Sequence, residues 1–221
     1  MTRTLFDGLI RPALAQALTL VMPIECGGCG AVDVDLCEEC VDALHPHPHR
    51  RALAGATGSV PLWSGLRFEG VAARVIRAVK EDGRTSMISS LSPALNAAIG
   101  KVAAPADTVA VPLPTSRAAY RRRGYRVPDR LAARSVLPVA RLLRTVRRTA
   151  DQRGLTIMQR RENVIGSMAA GDAAGRRVIV VDDVVTTGAT LEEAIRALQT
   201  AGAIVLGAVT VAATPRQSSA E

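Results

Sequence analysis

Apolar residues follow two rhythms along this chain. Val178-Ile179-Val180-Val181 is continuous and β-branched. Without alternation, such a run predicts a strand buried on both faces, as in a parallel sheet covered by helices. Leu191, Ile195 and Leu198 then recur at helical spacing, with Glu192 and Glu193 in the expected first turn. The same spacing puts Val71, Val75, Ile76 and Val79 on one face of a helix that Gly83 ends, and a second helix follows over residues 86–102. Further strands are expected near Trp63 and over residues 108–114, 137–146 and 203–212. Pro112 and Pro114 force the residues before them to be extended. Residues 118–123 and 156–163 read as short helices and residues 172–176 as a turn. Strands alternating with helices predict an α/β fold, a parallel sheet flanked by helices.

Composition narrows this picture. The 221 residues suffice for one sizeable α/β domain and a small appendage. Hydrophobic residues make up 48% but aromatics only 2%, so the core must be built from Ala, Val, Leu and Ile.

The chemistry concentrates after Val181. Asp182 and Asp183 end the strand, and Val184, Val185, Thr186, Thr187, Gly188, Ala189 and Thr190 lead into the helix. The first N–H groups of a helix lack internal partners and carry partial positive charge, so a loop presenting them binds anions, phosphate above all. Gly188 permits φ > 0 and close backbone approach. Thr186, Thr187 and Thr190 add hydroxyl donors. Two carboxylates repel phosphate but suit sugar hydroxyls, or waters around a magnesium ion. Phosphate, diol and metal within a few residues describe a phosphorylated ribose. Paired aspartates also end strands in receiver-type phosphoacceptor sites and nucleotide hydrolases. A purely structural role, Thr as N-cap and Asp as dipole complement, accounts for about two of these residues.

A second cluster lies near the N-terminus. Cys26-Gly27-Gly28-Cys29 and Cys37-Glu38-Glu39-Cys40 contain every cysteine of the chain. Two CxxC pairs aim four thiolates at one point, the pattern of a closed, structural zinc site. Redox pairs or disulfides are the alternative. His45, His47 and His49 alternate with prolines in what reads as a solvated linker. The apolar run over residues 9–24 is broken by Arg11, Pro12, Gln16, Thr19 and Pro23. It is too short for a membrane span and lacks a small-x-small cleavage site before Glu25, so it reads as a short helix in a cytoplasmic protein.

The formal charge of +8 is unevenly placed. Residues 117–161 hold 14 arginines against Asp129 and Asp151, a net +12, which leaves −4 for the rest. Ser116 and Arg117 stand at a loop-to-helix transition, a second candidate anion site where Arg117 can grip phosphate bidentately. A basic field beside a phosphate loop suits pyrophosphate or nucleic acid. Tyr125 either stacks on a planar ligand or packs.

The run from Val180 to Thr190 resembles the phosphoribosyl-pyrophosphate (PRPP) motif of type I phosphoribosyltransferases. That resemblance implies that Asp182 and Asp183 contact the ribose hydroxyls, and that Val185, Thr186, Thr187, Gly188, Ala189 and Thr190 hold the 5′-phosphate. A wider set of segments resembles the ComF family of phosphoribosyltransferase-like proteins, associated in bacteria with competence for DNA uptake. It comprises the four cysteines, Leu66-Arg67-Phe68-Glu69-Gly70 leading to Lys80, Val111 to Arg117, Arg123-Gly124-Tyr125, Gln152 to Leu155 and Arg160 to Val164. This implies that Lys80 and Arg117 lie on the pyrophosphate side and that Arg123 borders a flexible loop. Arg126-Val127 and Met168 depart from the family pattern.

The expected organisation is an N-terminal helix, four-cysteine zinc ribbon and Pro/His linker over residues 1–50, a type I phosphoribosyltransferase-like domain over 51–213, and a disordered tail over 214–221. The implied function is binding of PRPP with magnesium and transfer of phosphoribose to a nitrogenous acceptor such as a nucleobase, linked to DNA uptake or nucleotide metabolism. Asp182, Asp183, Arg117 and Lys80 form the expected catalytic set, with Ser116 assisting at the phosphate. The rival reading is a non-catalytic accessory protein binding single-stranded DNA or a helicase partner. The absence of aromatics interleaved among the arginines argues against a base-stacking DNA platform.

Overall fold

The computed structural model describes residues 24–56, 58–147 and 163–215. The expected helices over residues 9–24 and 156–163 lie essentially outside that set, as does residue 216 onward. The described elements, in order, are α1 (Glu38–Asp42), β1 (His49–Gly55), β2 (Gly58–Arg67), α2 (Gly70–Glu81), α3 (Ile88–Ile99), β3 (Val109–Pro112), α4 (Arg117–Arg123), α5 (Val127–Ala132), β4 (Leu143–Thr145), β5 (Met168–Ala170), β6 (Arg177–Val185), α6 (Ala189–Thr200) and β7 (Ile204–Ala213). A short 3-10 turn, Thr85–Met87, precedes α3.

Five strands form one sheet in the order β1-β2-β7-β6-β3. Strands β2, β7, β6 and β3 run parallel, and β1 pairs antiparallel with β2 at one edge. Strand β6 lies inside the sheet, and Val178 to Val181 are fully buried. Ile179 and Val181 enter one core with α2, α3 and α5, while Val178 and Val180 enter the other with α6. This explains the unbroken apolar run: a strand covered on both faces has no solvent side to alternate with. Each such side chain contributes about 2 kcal/mol of transfer free energy.

Two expectations need correction. In place of a loop and a short strand, residues 53–64 form parts of a hairpin in which β2 has ten residues. His49, Arg50 and Arg51 belong to β1 because an edge strand tolerates polar side chains. Pro61 fits within β2 because the register with β7 begins one residue later, at Leu62 and Ala208. Residues 137–146 do not form the expected core strand. Instead Pro138 and Ala140 exchange two backbone hydrogen bonds with Ala110, and the chain then leaves to pair β4 with β5 in a separate two-stranded sheet. Arg141 and Arg144 carry too much charge for a strand buried on both faces.

Among the described residues no helix is long and apolar enough to cross a membrane.

Candidate functional site: the carboxyl ends of β6 and β3

Strands β6 and β3 are neighbours, and Leu113 N–H still donates to the Val181 carbonyl at 2.9 Å as β3 ends. Beyond that point the chain leaves β6 for α6 on one face of the sheet, and leaves β3 for α4 and then α5, which packs on the other. In open α/β sheets such a divergence at the carboxyl ends of the strands is the usual ligand position. Of the residues singled out from sequence, Asp182 to Val185 belong to β6, which runs two residues past the aspartates expected to end it; Thr186 to Gly188 form the loop, Ala189-Thr190 open α6, and Ser116-Arg117 stand at the start of α4.

Asp182 and Asp183 are the sixth and seventh residues of β6. Their side chains leave opposite faces of the strand. Asp182 Oδ1 accepts from Asp183 N–H at 2.8 Å, and Asp183 Oδ1 from Val184 N–H at 2.7 Å. Asp183 is buried and takes an ion pair from Lys80 Nζ at 2.7 Å. Asp182 keeps part of its side chain open to solvent yet packs deeply. Burial first, and the Asp183 carboxylate second, push its carboxyl up to about 8 against the opposing pull of Lys80. A carboxyl whose proton is held by burial and a neighbouring acid gains charge more readily when a cation is brought beside it.

The loop between β6 and α6 turns through glycine. Gly188 adopts φ 91°, a left-handed conformation that favours glycine, as the residue before α6. An added Cβ would come 2.7 Å from Leu53 Cδ2, so space also selects glycine. Thr187 Oγ1 accepts from Ala189 N–H at 3.4 Å, and Thr186 is exposed. Val185 is anchored by Thr214 N–H at 3.0 Å on its carbonyl. Thr190 is half-buried in the first turn of α6.

Ser116 caps α4, its Oγ accepting from Ala119 N–H at 3.2 Å. Arg117 is exposed and makes no ion pair with any described residue. The structure brings Lys80 onto Asp183, but brings Arg117 only to the neighbouring loop. Tyr125 packs: its hydroxyl donates to the Val79 carbonyl and its ring lies against the core. Arg123 Nε donates to the Lys80 carbonyl at 2.7 Å, so the turn after α4 is docked on the helix that carries Lys80.

Residues 120–221 match the phosphoribosyl transferase domain. That match takes in the end of α4, the paired aspartates and the loop to Thr190, and leaves Lys80, Ser116, Arg117 and the four cysteines outside it. The resemblance to the ComF family has a counterpart in Competence protein F of Haemophilus influenzae, 32% identical over 101 residues, 42% of this chain and 44% of that protein. Orotate phosphoribosyltransferase of Methanopyrus kandleri is 43% identical over 63 residues, 28% of this chain and 33% of that one. The chain thus aligns with less than half the length of these curated relatives. Among solved structures, UMP synthase of Leishmania donovani is similar over 78% of this chain and 30% of its own, at 18% identity and a TM-score of 0.34.

Away from this candidate site, the four cysteine sulfurs lie within 4.8 Å of one another. Cys37 Sγ is 3.7 Å from Cys26 Sγ and 3.6 Å from Cys29 Sγ. Thiolates on the corners of a zinc tetrahedron, each about 2.3 Å from the metal, stand about 3.8 Å apart. All four are free, so the disulfide alternative fails and the cluster fits zinc. Burial pushes the Cys26 thiol up, but N–H donors from Cys37, Cys29 and Gly28 outweigh it and bring it down to about 6. Burial and the neighbouring sulfurs push Cys40 up.

One functional support escaped the sequence reading. Glu193, placed there only in the first turn of a helix, is buried and accepts from Met168 N–H at 3.0 Å and from Arg196 through both carboxylate oxygens. It ties β5 to the second turn of α6, just after the Gly188 loop. A Glu-x-x-Arg spacing in a helix was the available signal.

Proposed function

We propose that the protein binds PRPP at the carboxyl ends of β6 and β3 and transfers its phosphoribosyl group to a nitrogenous acceptor. The observation that carries this reading is the junction of β6 with α6: two aspartates, then a hydroxyl-rich loop turning through Gly188 into a helix N-terminus. Backbone N–H groups of the loop and the hydroxyls of Thr186, Thr187 and Thr190 hold the 5′-phosphate. Asp182 and Asp183 orient the ribose diol. Magnesium bound with the pyrophosphate supplies charge neutralisation of the leaving group; the hard oxygens of Asp182 and Asp183 suit it through water. Arg117 and Lys80 face the departing pyrophosphate as C1 gains oxocarbenium character, the electrostatic share of the work. Lys80 has two roles here, holding Asp183 in the empty site and the pyrophosphate in the filled one.

The zinc reading extends to a structural ion held by Cys26, Cys29, Cys37 and Cys40. The alternative reading, contact with single-stranded DNA or a helicase partner, is favoured by the exposed arginines of α4. It assigns that contact to α4 and its surroundings rather than to the cysteine module. Residues 24–44 contain Glu25, Asp33, Asp35, Glu38, Glu39 and Asp42 and no lysine or arginine, a surface that repels phosphate backbones.

The test of transfer is incubation with PRPP, magnesium and single nucleobases, reading pyrophosphate release. Release that requires one base establishes transfer and names the acceptor. PRPP binding without release for any base leaves a ligand-binding protein and removes the catalytic half of the reading.

A further inference from the structure

The helix that presents Lys80 is held from outside by the cysteine module. Arg74 Nε on α2 donates to the Gly28 carbonyl. Gly27 lies so close to the 3-10 turn that an added Cβ would stand 2.3 Å from Met87 Cε. Asp35, two residues before Cys37, receives Arg84 Nη2 on Oδ1 at 2.6 Å and Ser86 Oγ on Oδ2 at 2.6 Å. Arg84 Nη2 also reaches the Asp35 carbonyl at 3.0 Å.

Arg84 faces both ways. Its backbone N–H donates to the Ala78 carbonyl at 3.2 Å, beside the Asp82 N–H at 3.1 Å on the same oxygen. These bonds close the last turn of α2, which contains Lys80. One residue thus links the module, through its side chain, to the turn that aims an ammonium at Asp183, through its backbone N–H.

We propose that Arg84 is a positioning residue: anchored on Asp35 of the cysteine module, it fixes the last turn of α2 and so holds Lys80 on Asp183. The consequence for ligand affinity rests on the PRPP reading of that site. The contact chain itself does not. It also gives the cysteine module a task at the site, since a metal held by Cys37 and its partners stiffens the backbone that presents Asp35.

The chain has two lysines, Lys80 and Lys101, and Lys101 is exposed just beyond α3. Limited acetylation of the ligand-free protein, read by mass spectrometry as the ratio of Lys80 to Lys101 modification, therefore reports the ion pair against an internal reference. Asp183→Asn sets the ratio for a released Lys80. Arg84→Met and Asp35→Asn are expected to raise the ratio several-fold toward that value. Asp35→Asn keeps the side-chain size, so the test survives a folding failure of Arg84→Met. A wild-type ratio in Arg84→Met, or in Arg84→Ala should Arg84→Met fail to fold, overturns the proposal, because Lys80 is then held without the Arg84 side chain. A ratio that Asp183→Asn itself leaves unchanged overturns it as well, because no ion pair exists to be positioned. PRPP plays no part in the measurement, so failure of the ligand reading and failure of this proposal are separate results.

Discussion

Lys80 Nζ lies 2.7 Å from Asp183 Oδ1, joining the end of α2 to the carboxyl end of the central strand. Asp183 is nearly enclosed, while Lys80 keeps about a quarter of its side chain in solvent. Removing the lysine leaves the buried Asp183 carboxylate without its cation. Lys80→Met is therefore expected to destabilise the fold by about 1–3 kcal/mol, below the range for a fully buried pair because Lys80 is partly exposed. Urea unfolding measures this; an unchanged midpoint shows that the pair contributes nothing.

The Asp182 carboxyl makes a pH prediction. Its folded value, about 8, exceeds its ordinary value of 3.8. The folded state thus binds the extra proton, and the associated stability is full below the ordinary value and lost as pH rises through the folded one. Asp182→Asn, which does not titrate, should gain stability relative to the wild type across that window and hold the gain above it. Melting temperatures of both proteins across the window test this. A pH-independent difference contradicts the assignment.

Glu193 titrates in the opposite sense. Burial raises its carboxyl, but Arg196 and the N–H groups of Met168 and Gly166 bring it below its ordinary value of 4.5. Its stabilisation is present above that value and disappears as pH falls through the lowered one. Glu193→Gln should melt lower than the wild type at neutral pH, with the gap closing in acid. The loss should appear first as faster amide exchange in β5, where Met168 N–H loses its acceptor.

The cysteine module should hold one zinc ion per chain in purified protein. Cys26→Ser or Cys40→Ser is expected to abolish stoichiometric zinc, since both ligands are buried and a closed site needs all four thiolates. Metal analysis of the variants decides this, and full occupancy without either cysteine rules out the four-thiolate site.

The parts legible in the sequence are those written locally. Strand β6 announces itself by four buried β-branched residues, and the loop after it by its threonines and Gly188. Helix ends at Gly83 and Gly124 follow from backbone freedom. Long-range partners carry no local signal. Nothing near Lys80 names Asp183, nothing near Arg84 names Asp35, and Tyr125 resolves to packing only once Val79 is beside it. Strand β1 was missed because an edge strand needs no apolar run, and residues 137–146 were misread because their apolar content is interrupted by Pro138 and arginines.

The central claim is that Asp182, Asp183 and the loop to Thr190 bind PRPP. Isothermal titration of PRPP into the protein, with and without magnesium, tests it most directly, using the wild type and the Asp182→Asn, Asp183→Asn double variant. The account predicts magnesium-dependent binding to the wild type and none to the variant; equal binding to both contradicts it.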